Sequence, residues 1–223
     1  MAERASDRLY RVAQYVWEAQ LQHPFVRGIA GSTLELEKFT FWLRQDYLFL
    51  IDYARLLSLA AARAPDLATM RRLAALAEST LSVEMELHRS YAAEFGISTL
   101  ELEAEEKAPA TRGYTDFLLR VATLGDFAEL AAALLPCMWG YSDLGRRLAR
   151  EPKPADERYA AWIEMYASDD FAELAGWCRE LVDDLGRDAS EETLRRMEEA
   201  FLVSSRYELQ FWEMAWRGER WPA

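Results

Sequence analysis

Residues 133–145 read ALLPCMWGYSDLG. Ala133, Leu134, Leu135, Met138, Trp139, Tyr141 and Leu144 supply the apolar bulk of a helix, and no strand-like alternation runs through them. Pro136 and Gly140 interrupt that pattern. A proline inside a helix removes a backbone hydrogen bond and costs about 3 kcal/mol, and an interior glycine costs about 1 kcal/mol. The flaw lies beside Cys137, one of two cysteines in the chain. The stretch therefore reads as a helix bent next to a thiol.

The same helical spacing continues in both directions. Leu9, Tyr10, Ala13, Val16, Trp17 and Leu21 predict a helix over 5–22. After the connection HPFVRGIAGS, Ser32 and Glu35 stand at capping-box spacing and predict a helix from there to about Ala64, stopped by Pro65. A third helix is expected from Ala68 to Phe95, ended by Gly96, and a short one over 98–106 with Ser98 and Glu101 in the box positions. Thr111–Thr123 follows, then a start at Asp126 and Glu129 for the helix that carries the quoted stretch. Residues 156–167, 170–186 and 190–217 complete the set. DFAELA occurs twice, at 126–131 and 170–175, and reads as a shared way of starting a helix, not as a repeat. The expectation is an all-α chain forming a single domain over residues 1–223, since the Pro-bearing REPKPADER is a connection and not a linker.

Composition narrows the function classes. At 51% hydrophobic residues the chain can fill a core, and 10 Gly with 7 Pro disfavour a turn-rich β architecture. A net charge of -12 repels phosphate backbones and anionic membrane surfaces, so neither nucleic acid nor membrane is an expected partner. MAERASDRLY lacks the apolar centre of a secretion signal, and no apolar run reaches the length of a bilayer span. With two well-separated cysteines, neither a disulfide framework nor a zinc site is expected, and a cytoplasmic setting is the simplest reading.

Cys137 and Tyr141, four apart, share a helix face. A cysteine so placed is ordinarily a small buried apolar residue, and a reactive thiol needs a polar, partly open setting. Cys178, in an ordinary amphipathic surrounding, reads as structural. Asp46 lies among the aromatics of FWLRQDYLFLIDYARLL, three before Phe49, while Asp52 shares a more polar face with Arg55. Glu208, in SSRYELQFWEMAW, precedes Phe211 by three and Trp212 by four. A carboxylate among aromatics is either paired or held for a ligand; spacing alone favours a structural role for either acid. The two histidines, His23 and His88, lack the Glu-x-x-His context of a di-iron bundle. His23 could serve as a haem ligand, although a histidine before a proline at a helix end is more often a cap. No metal is expected. Neither a phosphate loop nor a Gly-x-Ser-x-Gly elbow is present.

HPFVRGIAGSTLELEKFTFWLRQDYLFLIDYARLLSLAAARAPD, RGYTDFLLRVA, ALLPCMWGYSDLG, AWIEMYAS and FLVSSRYELQFWEMAW, in this order and spacing, resemble the TenA/thiaminase II family over nearly the whole chain. The combination of Gln45-Asp46-Tyr47, Pro136-Cys137 with Tyr141, and Glu208 with Phe211-Trp212 is far more specific than any one piece. The resemblance implies a haem-oxygenase-like helical bundle, assembled as a homotetramer, that needs no cofactor. It implies hydrolysis of 5-aminomethyl-4-amino-2-methylpyrimidine to the hydroxymethyl pyrimidine with release of ammonia, and cleavage of thiamin in many members. One branch of the family lacks the cysteine, so Cys137 favours the cysteine-dependent branch. By resemblance Cys137 is the nucleophile and Glu208 the proton manager at a ring nitrogen, a task asking for a raised pKa that burial beside Phe211 and Trp212 would supply. Asp46 binds the aminopyrimidine edge. Tyr114, Tyr141 and Tyr166 line the pocket with Phe211, and Phe49 stands where some relatives carry tyrosine. Two alternatives stay open: a haem-oxygenase-like protein holding a tetrapyrrole or quinone precursor through His23, and a pyrimidine-binding protein without turnover.

Overall fold

In the computed structural model, residues 3–222 are described. They form helices α1 (Ala5–Gln22), α2 (Pro24–Ala30), α3 (Leu36–Arg63) and α4 (Leu67–Ser79), a π-helical turn π1 (Thr80–Glu84), then α5 (Met85–Glu94), α6 (Thr99–Ala104), α7 (Pro109–Leu124) and α8 (Phe127–Leu135). A second π-turn, π2 (Pro136–Gly140), leads into α9 (Tyr141–Leu148), followed by α10 (Glu157–Ala167), α11 (Asp169–Gly186) and α12 (Glu191–Arg217). No strand occurs among the described residues, and the chain is all-α as expected.

Several helix starts follow from their sequence signals. Ser98 accepts from the Glu101 amide at 3.3 Å while the Glu101 carboxylate accepts from the Ser98 amide at 2.8 Å, a complete capping box on α6. Asp66, Asp156 and Ser168 cap α4, α10 and α11 more simply, each side chain accepting one backbone amide of the first turn. Because Ser168 is the cap of α11, the second DFAELA lies inside the helix, and its likeness to the first is not a shared start.

Four further expectations change. Ser32 caps nothing: it sits at φ 54 in a turn, and its hydroxyl accepts the Asp156 amide at 3.0 Å. The amides of Thr33 and Leu34 both donate to the Gly28 carbonyl, at 2.8 and 3.1 Å, and α3 begins only at Leu36. A Cβ on Gly28 would stand 2.9 Å from the Cβ of Leu34, so this turn needs a glycine there. HPFVRGIA is not a connection but holds α2, with Pro24 in the first turn and the His23 ring accepting from the Phe25 amide at 3.2 Å. The helix expected over 68–95 is divided by π1, and the one through 133–145 by π2. Pro136 has no amide proton to give the carbonyl four residues back, and a π-turn absorbs the missing bond by admitting one extra residue.

The described residues divide into two compact units. The first comprises the chain up to Glu35 with Ala128–Glu213. Its core is aromatic: Phe25 lies 5.4 Å from Trp212, and Trp17 lies 5.8 Å from Phe201 and 4.9 Å from Trp139. Among its buried indoles, Trp212 donates to Gln20 Oε1 at 3.1 Å and Trp17 to Ser205 Oγ at 3.0 Å.

The second unit runs over Leu36–Phe127 and continues from Met214. Helix α3 is buried without interruption from Gln45 to Leu50, so its polar residues there must be satisfied within the protein. Gln45 donates to the Glu106 carbonyl at 2.9 Å and accepts from the Ala108 amide and the Thr111 hydroxyl at 2.9 and 2.7 Å. Asp52 is buried too, and is ion-paired with Lys107 as well as with Arg55. Burial pushes its carboxyl upward, but those two cations outweigh it and hold the pKa below its ordinary value. Arg63 binds the carbonyls of Ala122 and Gly125 at the end of α7, each at 2.5 Å.

Candidate active site

In the first unit the expected residues cluster around π2. Cys137 forms no disulfide and is half-buried, the partly open setting a reactive cysteine needs, whereas Cys178 on α11 is buried. One turn on, Tyr141 opens α9 with its ring 4.8 Å from that of Tyr166 and 5.4 Å from Trp212. Trp162 closes the wall, 4.8 Å from Tyr166 and 6.1 Å from Trp212. Gly145 lets α9 and α10 meet: a Cβ there would stand 2.7 Å from the Tyr166 carbonyl carbon.

Glu208 is 3% exposed on α12, and Phe211 and Trp212 are buried one turn beyond it, which supplies the burial its expected role requires. Ser204, one turn before Glu208, donates to the Ala133 carbonyl at 2.7 Å. Ala133 is likewise one turn before Cys137. A buried hydrogen bond thus joins α12 to α8 at the turn preceding each of the two candidate catalytic residues.

In the second unit Asp46, Phe49 and Tyr114 are all buried, and the rings of Phe49 and Tyr114 lie 5.0 Å apart. Asp46 does not pair with Arg44, which reaches Glu105 at 3.3 Å. Its partner is His88, whose Nε2 lies 2.7 Å from Asp46 Oδ2. The spacing around His88 marks it only as lacking the context of a di-iron ligand. The pair escapes notice in the sequence because 42 positions separate its members.

The haem alternative loses its ligand. Both ring nitrogens of His23 are engaged, Nδ1 by the Phe25 amide and Nε2 by Glu213 at 2.9 Å. Among the described residues no group of three or more His, Cys, Asp or Glu could hold a metal ion, and no helix is long and apolar enough to cross a membrane.

A cavity of about 360 Å³ lies elsewhere in the first unit, between Trp139, Asp143, Arg146, Arg147, Arg150 and Arg179. None of the expected site residues lines it. Three of its arginines are already neutralised, Arg146 by Asp169, Arg147 by Glu18 and Asp143, and Arg179 by Asp7. Charge alone therefore gives it no claim to be the reacting site.

The chain is 46% identical over 214 residues to an aminopyrimidine aminohydrolase of Halalkalibacterium halodurans, covering 96% of each chain. It is 39% identical to an aminopyrimidine aminohydrolase of Bacillus subtilis, covering 97% of this chain and 91% of that one. Its structure is similar to a TenA homologue from P. horikoshii at TM-score 0.91 and 30% identity, covering 97% of this chain and all of that one. A haem-oxygenase-like domain from Shewanella denitrificans, 13% identical, shares the fold at TM-score 0.75 over 95% of this chain and 92% of that one. A family model matches residues 10–218, and on that match the chain belongs to the TENA/THI-4/PQQC family.

Proposed function

We propose that this protein is an aminopyrimidine aminohydrolase of thiamin salvage, which converts 5-aminomethyl-4-amino-2-methylpyrimidine and water into the 5-hydroxymethyl compound and ammonia. The observation that carries this reading is Cys137: a half-buried thiol set in a π-turn beside the Tyr141–Tyr166–Trp212 wall, in a chain similar along its length to enzymes of that name. Such π-turns are frequent at functional sites because one extra residue re-aims the side chains within them.

In the reaction we infer, the Cys137 thiolate adds to the pyrimidine ring and pushes electron density toward the exocyclic methylene. The C–N bond then breaks and the amine leaves with a proton. Water adds to the methylene, loses a proton, and the ring expels the thiolate, so the enzyme returns to its starting state. Covalent addition divides one difficult displacement into easier steps. Glu208 is assigned the protons, delivering one to a ring nitrogen on addition and recovering it on release; its burial keeps it from exchanging freely with solvent. Tyr141 and Tyr166, with Phe211, are assigned to the pyrimidine faces and edges. Asp46 is assigned to the amino group of the ring, with Phe49 and Tyr114 as further binding residues.

The single-domain reading is supported by the one family match that runs through both compact units. A homotetramer and a cytoplasmic location complete the proposal; light scattering on the purified protein measures the first.

The test is ammonia release from the aminomethyl pyrimidine by wild type and Cys137→Ser, with thiamin in parallel. Turnover by wild type, with loss of at least about 10³-fold in the folded variant, is the expected result. A folded wild type inactive on both compounds would sink the hydrolase reading and leave pyrimidine binding without turnover.

A further inference from the structure

We infer that His88 is a positioning residue for substrate recognition: it holds the Asp46 carboxylate by Oδ2 and so reserves Oδ1 for the amino group of the pyrimidine. The inference rests on the assignment of Asp46 as a binding residue, and adds a residue to which that assignment gives no role.

The imidazole is 3% exposed and held at both nitrogens. Nδ1 lies 2.9 Å from the Glu84 carbonyl, an acceptor, so Nδ1 carries a proton; Nε2 lies 2.7 Å from Asp46 Oδ2, a second acceptor. Two acceptors satisfied by one ring require both nitrogens to donate, which is the charged imidazolium. Burial opposes that charge, but the hydrogen bond and charge of Asp46, with Glu84, outweigh it and set the His88 pKa above its ordinary value.

Asp46 contributes the other half of the observation. Its side chain is buried, yet among the described residues Oδ1 has no hydrogen-bond partner, and it is not among the fully occluded polar atoms. A buried carboxylate with one oxygen anchored and the other solvent-reachable is an acceptor held in readiness, and a ring amino group is a donor that fits it.

The anchor is itself built by a backbone irregularity. The Glu84 carbonyl lies at the end of π1, and Thr80, the first residue of that turn, is buried. The groups that face the ring are Asp46 from α3 and Glu84 from π1. Arg89, next in sequence, is turned to the Tyr47 hydroxyl at 3.1 Å and to Glu86 at 3.4 Å.

The two ring contacts can be separated by substitution. In His88→Gln the amide nitrogen replaces Nε2 and keeps the bond to Asp46. In His88→Asn it replaces Nδ1 and keeps only the bond to Glu84. Both variants are polar and neither overfills the site. The readouts are kcat and KM for ammonia release, and the calorimetric Kd of the product, 4-amino-5-hydroxymethyl-2-methylpyrimidine.

The expected result is that His88→Asn weakens product binding and raises KM by about 10- to 100-fold with kcat within about 3-fold, while His88→Gln stays within about 3-fold of wild type throughout. Equal behaviour of the two variants overturns the inference, because a merely structural histidine has no reason to prefer one replacement nitrogen. Product binding that ranks the variants as expected, in a wild type without turnover, keeps the inference and removes the hydrolase reading. A wild type that does not bind the product removes both.

Discussion

The Ser204 hydroxyl donates to the Ala133 carbonyl at 2.7 Å, entirely buried, one turn before Glu208 on one helix and one turn before Cys137 on the other. The bond steadies α8 where Pro136 has taken away the next amide donor, and it fixes the registration of α12 against that point. Ser204→Ala therefore costs about 1 kcal/mol, a fall in Tm of about 2–4 °C for a chain of this size. If the bond also sets the placement of Cys137, ammonia release falls by more than the stability loss explains, by about 10-fold. Thermal melts and turnover on the same preparation measure both, and unchanged turnover with a lowered Tm would restrict Ser204 to stability.

Pro136 sets stability against aim. Replacing it with alanine restores an amide at position 136 and allows the ordinary helical bond, so Pro136→Ala gains about 1–2 kcal/mol of stability. Closing π2 into regular helix removes the extra residue and rotates Cys137 by part of a turn. A misplacement of about 1 Å is enough to lower turnover about 100-fold. A variant with raised Tm and lowered kcat is expected; one with raised Tm and full kcat would show that the proline does not aim the thiol.

Much of this architecture is legible in the sequence, for reasons that can be stated by residue. Local signals worked where the partner is local: the Ser98–Glu101 box lies three residues apart and forms as expected. The same motif failed at Ser32, because Gly28 let the chain turn back on itself and Asp156 claimed the hydroxyl from 124 positions away. Pro136 announced an irregularity, although the bend it suggested is a π-turn. Nothing comparable marks π1, since TLSVE holds neither proline nor glycine. The aromatic stretches around Glu208 and Asp46 leave a structural role the simpler one for either, and the roles of Cys137, Glu208 and Asp46 rest on family resemblance. His88 and Ser204 carry no such mark, because each acts through one distant partner, Asp46 and Ala133, and periodicity carries no information about such pairs.

Gly145 is where packing decides the site. A Cβ at this position would stand 2.7–2.8 Å from the Tyr166 carbonyl carbon, the Ala167 nitrogen and the Tyr166 Cβ, two of them backbone atoms that cannot swing aside. Gly145→Ala therefore forces α9 and α10 apart and costs about 1–3 kcal/mol despite the better helix propensity of alanine. The separation moves Tyr166 from its place 4.8 Å from Tyr141, so KM for the aminopyrimidine rises as well. A variant as stable as wild type, with unchanged KM, would show that the two helices can yield.

The Glu84–His88–Asp46 cluster makes stability depend on pH. Burial pushes the Glu84 carboxyl up from 4.5 to about 7, the charge of Asp46 adding to it against the opposing pull of His88 and Thr80. The His88 pKa is also raised, from 6.5. For both groups the folded protein binds protons that the unfolded chain has already lost, so their contribution favours folding less as pH rises. For Glu84 that loss runs from about pH 4.5 to 7, and for His88 it continues upward from about pH 6.5 through the raised pKa. The fully shifted carboxyl would cost about 3 kcal/mol, and partial exposure with the His88 charge reduces this to on the order of 2 kcal/mol. Glu84→Gln removes the titrating group, so the variant is more stable than wild type at pH 8 by about that amount and nearly equal to it at pH 4.5. Urea denaturation at pH 4.5, 6.5 and 8 measures the difference. A variant whose stability follows the wild-type profile at all three values would mean that Glu84 is solvated and takes no part in the cluster.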